Sequence, residues 1–200
     1  MRAENKRDRQ AAIEEAAFDV LEEKGFAGMS VLSVAQRAKA SNGTLYSWYG
    51  NKVGLFKALV ARNAAELRAA LETALEGGAS PRETLDQIGP QLLGLLLSPR
   101  AVALNRAAAA DPSGALGAAL SEAGRGTVAP LIARVVQQAQ GDGMLSRGTD
   151  FQEITEVYFS LLIGELQIRV VAGHQSPPEA TARKARAARA LTQLETLYPA

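Results

Sequence analysis

The side chains with the most specific chemistry lie in one short stretch, residues 41–52. It combines hydroxyl, amide and aromatic groups and ends on a lysine, and no catalytic motif is visible in it. Leu45 and Tyr49, four residues apart, turn one face of a short helix inward. Asn42, Thr44 and Trp48 then face outward, where such groups can hydrogen-bond to base edges, whereas a lysine amino group suits phosphates of any sequence.

The flanking residues predict the elements that hold this stretch. Apolar residues in 31–35 recur with helical spacing, and Ser30 stands where an N-cap would accept a backbone hydrogen bond. Lys39-Ala40 closes this helix, residues 41–43 form a tight turn into the next helix, and Asn51 can cap a third. Two helices joined by a short turn indicate a DNA-binding helix-turn-helix. The candidate DNA-contacting residues of this motif are Ser30, Ser41, Asn42, Gly43, Thr44, Trp48 and Lys52.

The charge pattern around this motif favours the same interpretation. No Asp or Glu occurs from Lys24 to Ala65. A surface that approaches phosphates should lack carboxylates, because neutralising phosphates releases counterions and a carboxylate would repel them. The alternative is a solvated basic face without a partner. The basic residues of the acid-free run are Lys24, Arg37, Lys39, Lys52, Lys57 and Arg62.

The run from Ala35 to Leu55 resembles the TetR-type transcriptional regulators. It matches their pattern at Ala38, Ser41, Gly43, Leu45-Tyr46 and Lys52, among other positions. The resemblance implies that Tyr46 and Lys52 hold phosphates. It also implies a homodimer on a near-palindromic operator and a small molecule that shifts the spacing of the two heads.

Two departures from the family pattern stand out. Lys39-Ala40 replaces Gly-Val, so the turn either needs no glycine or takes some strain. Trp48-Tyr49 replaces His-Phe, which keeps an aromatic core position but alters a usual phosphate contact.

Helical periodicity throughout predicts an all-α chain. We expect a helix-turn-helix DNA-binding domain over 1–52, a connecting helix over 53–77 and a helical ligand-binding and dimerisation domain over 78–200. Residues 1–8 read as a loose polar arm. One apolar helix is predicted from Asp150 to Gly173, and its two apolar faces favour burial against a second subunit.

Composition limits the remaining possibilities. The chain has no cysteine and a single histidine, His174, so neither a thiolate nor a metal site is expected, and no cofactor motif occurs. The charged N-terminus does not fit a signal peptide, and no apolar run approaches a membrane span. We therefore expect a cytoplasmic protein with no membrane partner.

An effector cavity is predicted where Gly89-Pro90 should kink a helix and the small residues 107–110 leave room. Its lining should be rich in leucine, which suits an apolar or amphipathic molecule. Glu165 and Arg169, four apart, form either an ordinary intrahelical ion pair or part of that lining. The candidate polar contacts are Asn105, Arg106, Tyr158, Glu165 and Arg169.

The functional hypothesis is a DNA-binding transcriptional regulator, a repressor that a small effector releases, and no enzyme. One alternative is a DNA-organising protein that needs no effector. A third possibility, from another class, is a helical enzyme or adaptor whose helix-turn-helix binds protein. Salt-sensitive retention on DNA would separate that third possibility from the other two.

Overall fold

The computed structural model describes residues 2–200, with side chains from Lys6 onward. No strand occurs in this range, which confirms the predicted all-α class. The helices are α1 Arg2–Gly28, α2 Val31–Arg37, α3 Asn42–Tyr49, α4 Lys52–Glu76, α5 Pro81–Leu96, α6 Pro99–Ala109, α7 Ala115–Leu120, α8 Gly126–Gly141, α9 Phe151–Ile163, α10 Leu166–Val171 and α11 Ala180–Leu197.

The helices pack into two compact units. The head unit contains the chain up to Asn63 together with Pro99–Gly124, and the second unit contains Ala64–Ser98 and Arg125–Ala200. Residues 99–124, which the sequence placed in the C-terminal domain, thus pack in the same unit as the helix-turn-helix. The predicted functional boundaries of 1–52, 53–77 and 78–200 stay a prediction.

The head unit is built around apolar side chains from α1, α3, α4 and α6. Phe18, Leu45, Phe56 and Leu104 are each at most 1 % exposed. Burying one such side chain contributes about 1.5–3 kcal/mol, so this core, rather than helix propensity, holds the short helices α2 and α3 in place. Phe26 meets the Phe56 ring edge-on, with the ring centroids 5.6 Å apart.

The N-terminal segment differs from the prediction of a loose arm. Helix α1 already begins at Arg2, and Met1 lies outside the described residues. The short polar run continues the helical spacing of α1, so it is an extension of that helix. Helix α1 is broken at Gly25, which has φ 65° and ψ 172° within the segment assigned to this helix.

The second unit has its own core, formed mainly by α5, α8, α9 and α11. Helix α5 runs as one helix through Pro90. At Gly89, an added Cβ would lie 2.9 Å from the Ala187 Cβ and 3.0 Å from the Tyr158 hydroxyl. The absence of a side chain at this position therefore lets α5 pack closely against α9 and α11.

One helix prediction in the second half of the chain is wrong in detail. The single helix expected from Asp150 to Gly173 is broken at Gly164, which has φ 49° and ψ −135°, a conformation that favours glycine. Arg186 donates to the carbonyls of Leu162 and Ile163 at this break and satisfies the end of α9. Between α7 and α8 the helix loosens into a π-helical turn, Ser121–Arg125, that runs directly into α8.

The turn between α2 and α3 takes strain at Lys39. Its φ of 51° makes it the only non-glycine residue with positive φ among those that the structure describes. Around it the Lys39 amide donates to the Gln36 carbonyl and the Ala40 amide to the Ala35 carbonyl, a Schellman arrangement that normally has glycine at the left-handed position. The departure from the family pattern at residue 39 therefore has a conformational cost.

Replacing Lys39 with glycine should stabilise the head, whereas replacing it with alanine should not. A Cβ in the left-handed region costs about 1–2 kcal/mol, part of which is offset because glycine gains more conformational freedom on unfolding. We expect Lys39→Gly to be more stable than Lys39→Ala by about 1 kcal/mol in urea unfolding. Equal stability of the two variants would show that the turn relaxes around the side chain.

Candidate nucleic-acid interface

Serine side chains start both helices of the helix-turn-helix. Ser30 and Ser33 form a reciprocal capping box, with each hydroxyl accepting from the other residue's amide at 3.0 Å. Ser41 caps α3 by accepting from the Thr44 amide at 3.1 Å, and the two hydroxyls lie 2.9 Å apart. These caps fix where the exposed helix N-termini begin, and such N-termini favour anionic groups.

Helix α3 presents a small polar surface. Leu45 is buried, while Asn42, Gly43, Tyr46 and Ser47 are exposed, with Tyr46 at 55 %. Backbone amides at the first turn and the outward side chains are therefore accessible to a duplex. Three of these exposed residues, Asn42, Gly43 and Tyr46, are candidate DNA-contacting residues, and their role in DNA binding stays a prediction.

Trp48 and Thr44 depart from the outward orientation that the sequence suggested. Both are only half-exposed. The Thr44 hydroxyl takes part in the cap of α3, and the Trp48 indole packs partly against the head core. The Lys6 amino group lies 5.7 Å from the centre of the indole.

The first turns of α1 were missed as part of this surface. The Lys6 amino group lies over the Trp48 ring, and the Arg9 guanidinium donates to the carbonyl of Lys39 in the α2–α3 turn. Both residues lie near the boundary of the segment interpreted as an arm. Continuing the helical period of α1 back through residues 6–9 would have placed them beside the turn.

Lys52 begins α4, next to α3. Asn51 caps this helix by accepting from the Gly54 amide at 2.9 Å, as predicted. The Lys52 amino group lies 4.1 Å from the centre of the Phe26 ring, and its partial burial lowers its pKa. Lys52 is therefore held at one position on the head rather than free in solvent.

In the folded chain, acidic side chains from outside the acid-free run pair with some of its basic residues. Arg37 forms a bidentate pair with Glu23 of α1, at 2.9 and 2.6 Å, and Lys57 pairs with Glu122 at 2.7 Å. The hydrogen bond between Arg37 and Glu23 raises the pKa of the guanidinium and lowers that of the carboxyl. The linear charge pattern thus overstated the basic surface, because acids distant in sequence neutralise several of its members.

A buried carboxylate holds the end of α3. Glu14 of α1, 4 % exposed, accepts from Gln10 at 2.9 Å, from the Tyr49 hydroxyl at 3.3 Å and from Arg62 at 3.3 Å. Burial, followed by the charge of Glu14, raises the pKa of the Tyr49 phenol far above its ordinary value. Tyr49, the last residue of α3, is therefore kept protonated as the hydrogen-bond donor that ties α3 to α1.

Comparisons with known proteins agree with this geometry. Residues 13–59 match the family described as bacterial regulatory proteins, tetR family, and residues 83–200 match the C-terminal domain of AefR-like transcriptional repressors. The second match alone spans more than half of the chain. The protein belongs to the TetR family. It is therefore a DNA-binding transcriptional regulator with a helix-turn-helix, as the sequence predicted.

Individual relatives of this TetR-family protein fit the same picture. An uncharacterised HTH-type transcriptional regulator of Bacillus subtilis (strain 168), YdeS, is 48 % identical over 44 residues, which is 22 % of each chain. A TetR-family regulator from Mesorhizobium loti has a solved structure with TM-score 0.79 and 21 % identity, over 96 % of this chain and 97 % of that one. The B. subtilis regulator FadR, solved with stearoyl-CoA, has TM-score 0.74 and 17 % identity, over 92 % and 97 %.

The predicted ligand contacts of the TetR-family chain fall in both units. Asn105 and Arg106 belong to the head unit, where the Asn105 amide donates to the Ala101 carbonyl at 2.8 Å. In the second unit, Tyr158 is fully buried with its hydroxyl 3.4 Å from the Leu85 carbonyl, and burial raises its pKa. Glu165 and Arg169 form an exposed intrahelical ion pair at 2.6 Å. Their role as ligand contacts stays a prediction.

Among the residues described, no helix has the length and apolar character needed to cross a membrane.

Removing Arg62 should destabilise the head more than removing Arg62 and the Glu14 charge together. Arg62→Met leaves the buried Glu14 carboxylate without its cation, and we expect a loss of about 2–3 kcal/mol in urea unfolding. In the double variant Glu14→Gln/Arg62→Met no charge is left uncompensated, so the loss should be smaller. A loss in the double variant equal to or larger than that of Arg62→Met would contradict the role assigned to Glu14.

Substituting Gly43 should separate DNA contact from folding. A Cβ at Gly43 would meet only the Ser41 hydroxyl oxygen, at 3.8 Å, so the fold does not require glycine there. We expect Gly43→Ala to keep or raise the unfolding free energy, by up to about 1 kcal/mol, and to weaken operator binding because a methyl group is added where DNA approaches. Gly117→Ala in α7, with nothing within 4 Å of its Cβ, is the matched control. If Gly43→Ala binds the operator as tightly as the wild type does, DNA does not approach the protein at this position.

Proposed function

We propose that this TetR-family protein is a repressor that binds a near-palindromic operator as a homodimer and is released by a small apolar or amphipathic effector. The observation that carries the proposal is the exposed N-terminal turn of α3, where Asn42 and Gly43 are accessible beside the capped helix end. A helix with this kind of end enters a major groove in helix-turn-helix proteins.

The proposed contacts divide into those that read bases and those that hold the backbone. Asn42 lies on the exposed first turn, so its amide is available to a base edge, with Thr44 and Trp48 at the margins of the same surface. Tyr46 and Lys52 flank this surface and contact phosphates. Ser30 and Ser41 contribute by fixing helix ends whose free amides face the backbone of the duplex.

Apolar residues of the second unit support the proposed dimer. Ile168 on α10 is 63 % exposed and Leu197 at the end of α11 is 58 % exposed. Val157 and Leu161 on α9 are half-buried although their neighbours Tyr158 and Leu162 lie in the core. A second copy would remove this surface from water, and pairing two heads about a twofold axis requires an operator with two related half-sites.

The effector part of the proposal follows from the family and from the apolar character of the second unit. The similar regulator FadR of B. subtilis was solved with stearoyl-CoA, a long apolar chain with a polar headgroup. An effector of this kind would act by binding the conformation with low operator affinity more tightly, which shifts the population away from the DNA-bound form.

Operator binding by a Lys52 variant tests the proposal. We expect a duplex with two half-sites to bind two chains, and Lys52→Ala to weaken binding by a similar factor on every sequence while lowering the salt slope by about one ion. Lys184→Ala, which removes an exposed cation of α11, is the matched control and should leave the slope unchanged. The measurement is fluorescence anisotropy over a range of salt concentrations.

Two results would contradict the DNA-binding part of the proposal. A change in base preference without a change in salt slope would mean that Lys52 does not contact phosphate. Tight binding of a single chain to a single half-site would exclude the dimeric operator complex. A broad screen of apolar compounds that alters neither melting temperature nor DNA affinity would instead favour the DNA-organising alternative.

A further inference from the structure

A pocket of about 560 Å³ lies inside the head unit, between the end of α1, the first turn of α4 and α6. Its walls are mostly apolar, with charged groups near them. Its lining includes Phe26, Lys52, Ala103, Arg106, Ala107 and Asp111.

The pocket exists because one of its walls lacks side-chain volume. Helix α6 contributes Ala103 and Ala107, four residues apart on one face, and Ala110 follows directly after the end of the helix. The opposite wall contains Phe26, whose ring is fixed by its edge-on contact with Phe56. Gly25, with φ 65°, turns the chain so that Phe26 can reach this position. The pocket is therefore formed by packed residues rather than by a loop that must first fold over.

Two cations, Lys52 and Arg106, line this mostly apolar pocket. The Lys52 amino group stands over the Phe26 ring at 4.1 Å and is half-buried, and Arg106 comes from α6. An ammonium group with reduced hydration gains more from a nearby anion than one in bulk water. The lowered pKa of Lys52 has the same cause, namely incomplete compensation of its desolvation.

Two acidic residues, Glu22 and Asp111, also line the pocket, and their surroundings differ from those of Lys52. The Asp111 carboxylate accepts from the Leu116 amide at 2.9 Å and from the Ser113 hydroxyl and amide at 2.7 and 3.1 Å, which hold its pKa below the usual value. Its lone pairs are therefore engaged by its own loop. Glu22 is exposed at the surface of α1, where water screens its charge.

We propose that this pocket binds small molecules with an apolar body and one carboxylate, and that the carboxylate pairs with the Lys52 ammonium. The apolar body would fill the space left by the α6 alanines and pack against Phe26. A carboxylate suits this position because its charge compensates a partly desolvated ammonium. Because the pocket is apolar and has few polar groups, this one ion pair sets the orientation of the ligand.

Such a ligand would compete with DNA directly. Lys52 is the residue assigned above to a phosphate, and one ammonium cannot pair fully with both anions. This consequence rests on the proposed function, whereas binding of the carboxylate does not. The regulator would then have an inhibitory site in its head, distinct from an effector cavity in the second unit.

Octanoate is the probe for this site, with octylamine and octanol as the cationic and neutral molecules of matched chain length. We expect isothermal titration calorimetry on the full-length protein without DNA to show octanoate binding roughly tenfold or more tighter than octylamine or octanol. Lys52→Met, which keeps an apolar stem against Phe26, should weaken octanoate binding by a similar factor. Lys24→Met, which removes an exposed cation of α1 that does not line the pocket, should have no effect.

A second variant tests the volume of the pocket. Ala103→Leu adds a side chain to the α6 wall and should weaken binding of octanoate without changing the charge. Absence of octanoate binding at millimolar concentration, equal binding by Lys52→Met, or tighter binding of octylamine would overturn the proposal. Binding that survives Ala103→Leu but is lost with Lys52→Met would show a surface ion pair and would overturn the assignment to this pocket.

DNA measurements separate this inference from the proposed function. Octanoate bound as expected, together with a normal salt slope in Lys52→Ala, would reject the phosphate contact and keep the pocket. A reduced salt slope in Lys52→Ala, together with no octanoate binding, would reject the pocket and keep the phosphate contact. If both hold, octanoate should weaken operator binding by the wild type in the concentration range in which it binds the free protein.

Discussion

A carboxylate removed from water is the constraint on which the head unit depends. Glu14 lies on α1, yet the groups that compensate it come from Gln10 on the same helix, Tyr49 at the end of α3 and Arg62 on α4. Arg62 also contacts Glu15, which in turn accepts from Arg100 of α6. Because a buried charge is costly without its partners, these helices have little freedom to move separately, and α3 keeps its position relative to the rest of the head.

Lys52 and Phe26 extend this rigidity to the edge of the DNA-facing surface. The lysine is the first residue of α4, so the Asn51 cap fixes its backbone while the aromatic ring fixes its amino group. Close packing reinforces the arrangement, since a Cβ on Gly54 would lie only 1.9 Å from the Tyr49 carbonyl oxygen. Lys52, the proposed phosphate contact, and α3 are thus positioned by the same few contacts.

Sequence reasoning succeeded where the determining interactions are local. The Ser30 and Asn51 caps involve residues at most three positions apart, and both form where the residue types predicted them. The helix-turn-helix and the all-α class follow from such signals together with apolar spacing. The local signal is not sufficient everywhere: Ser176 and Glu179 have the residue types and spacing of a capping box, yet α11 begins after Glu179 without a side-chain cap.

The sequence failed where the decisive partner is distant along the chain. Glu122 neutralises Lys57 from 65 residues away, and Arg186 caps the end of α9 from more than twenty, which no local pattern reveals. The half-burial of Trp48 depends on how close α1 lies to α3, and the location of the pocket beside Arg106 depends on α6 packing in the head unit. These are properties of tertiary packing, so residue types and spacing could name the participants but not their neighbours.

The left-handed turn residue has a consequence for how this regulator can vary. Once the Schellman arrangement imposes positive φ on residue 39, most unbranched side chains there meet a similar steric penalty, which arises at Cβ. Beyond Cβ the side chain is free to change between cationic, neutral and acidic forms at nearly constant fold stability. A change of charge at position 39 therefore adjusts the general electrostatic attraction to nucleic acid. It thereby changes the time that the protein spends searching DNA, and it leaves the residues that select a sequence unchanged.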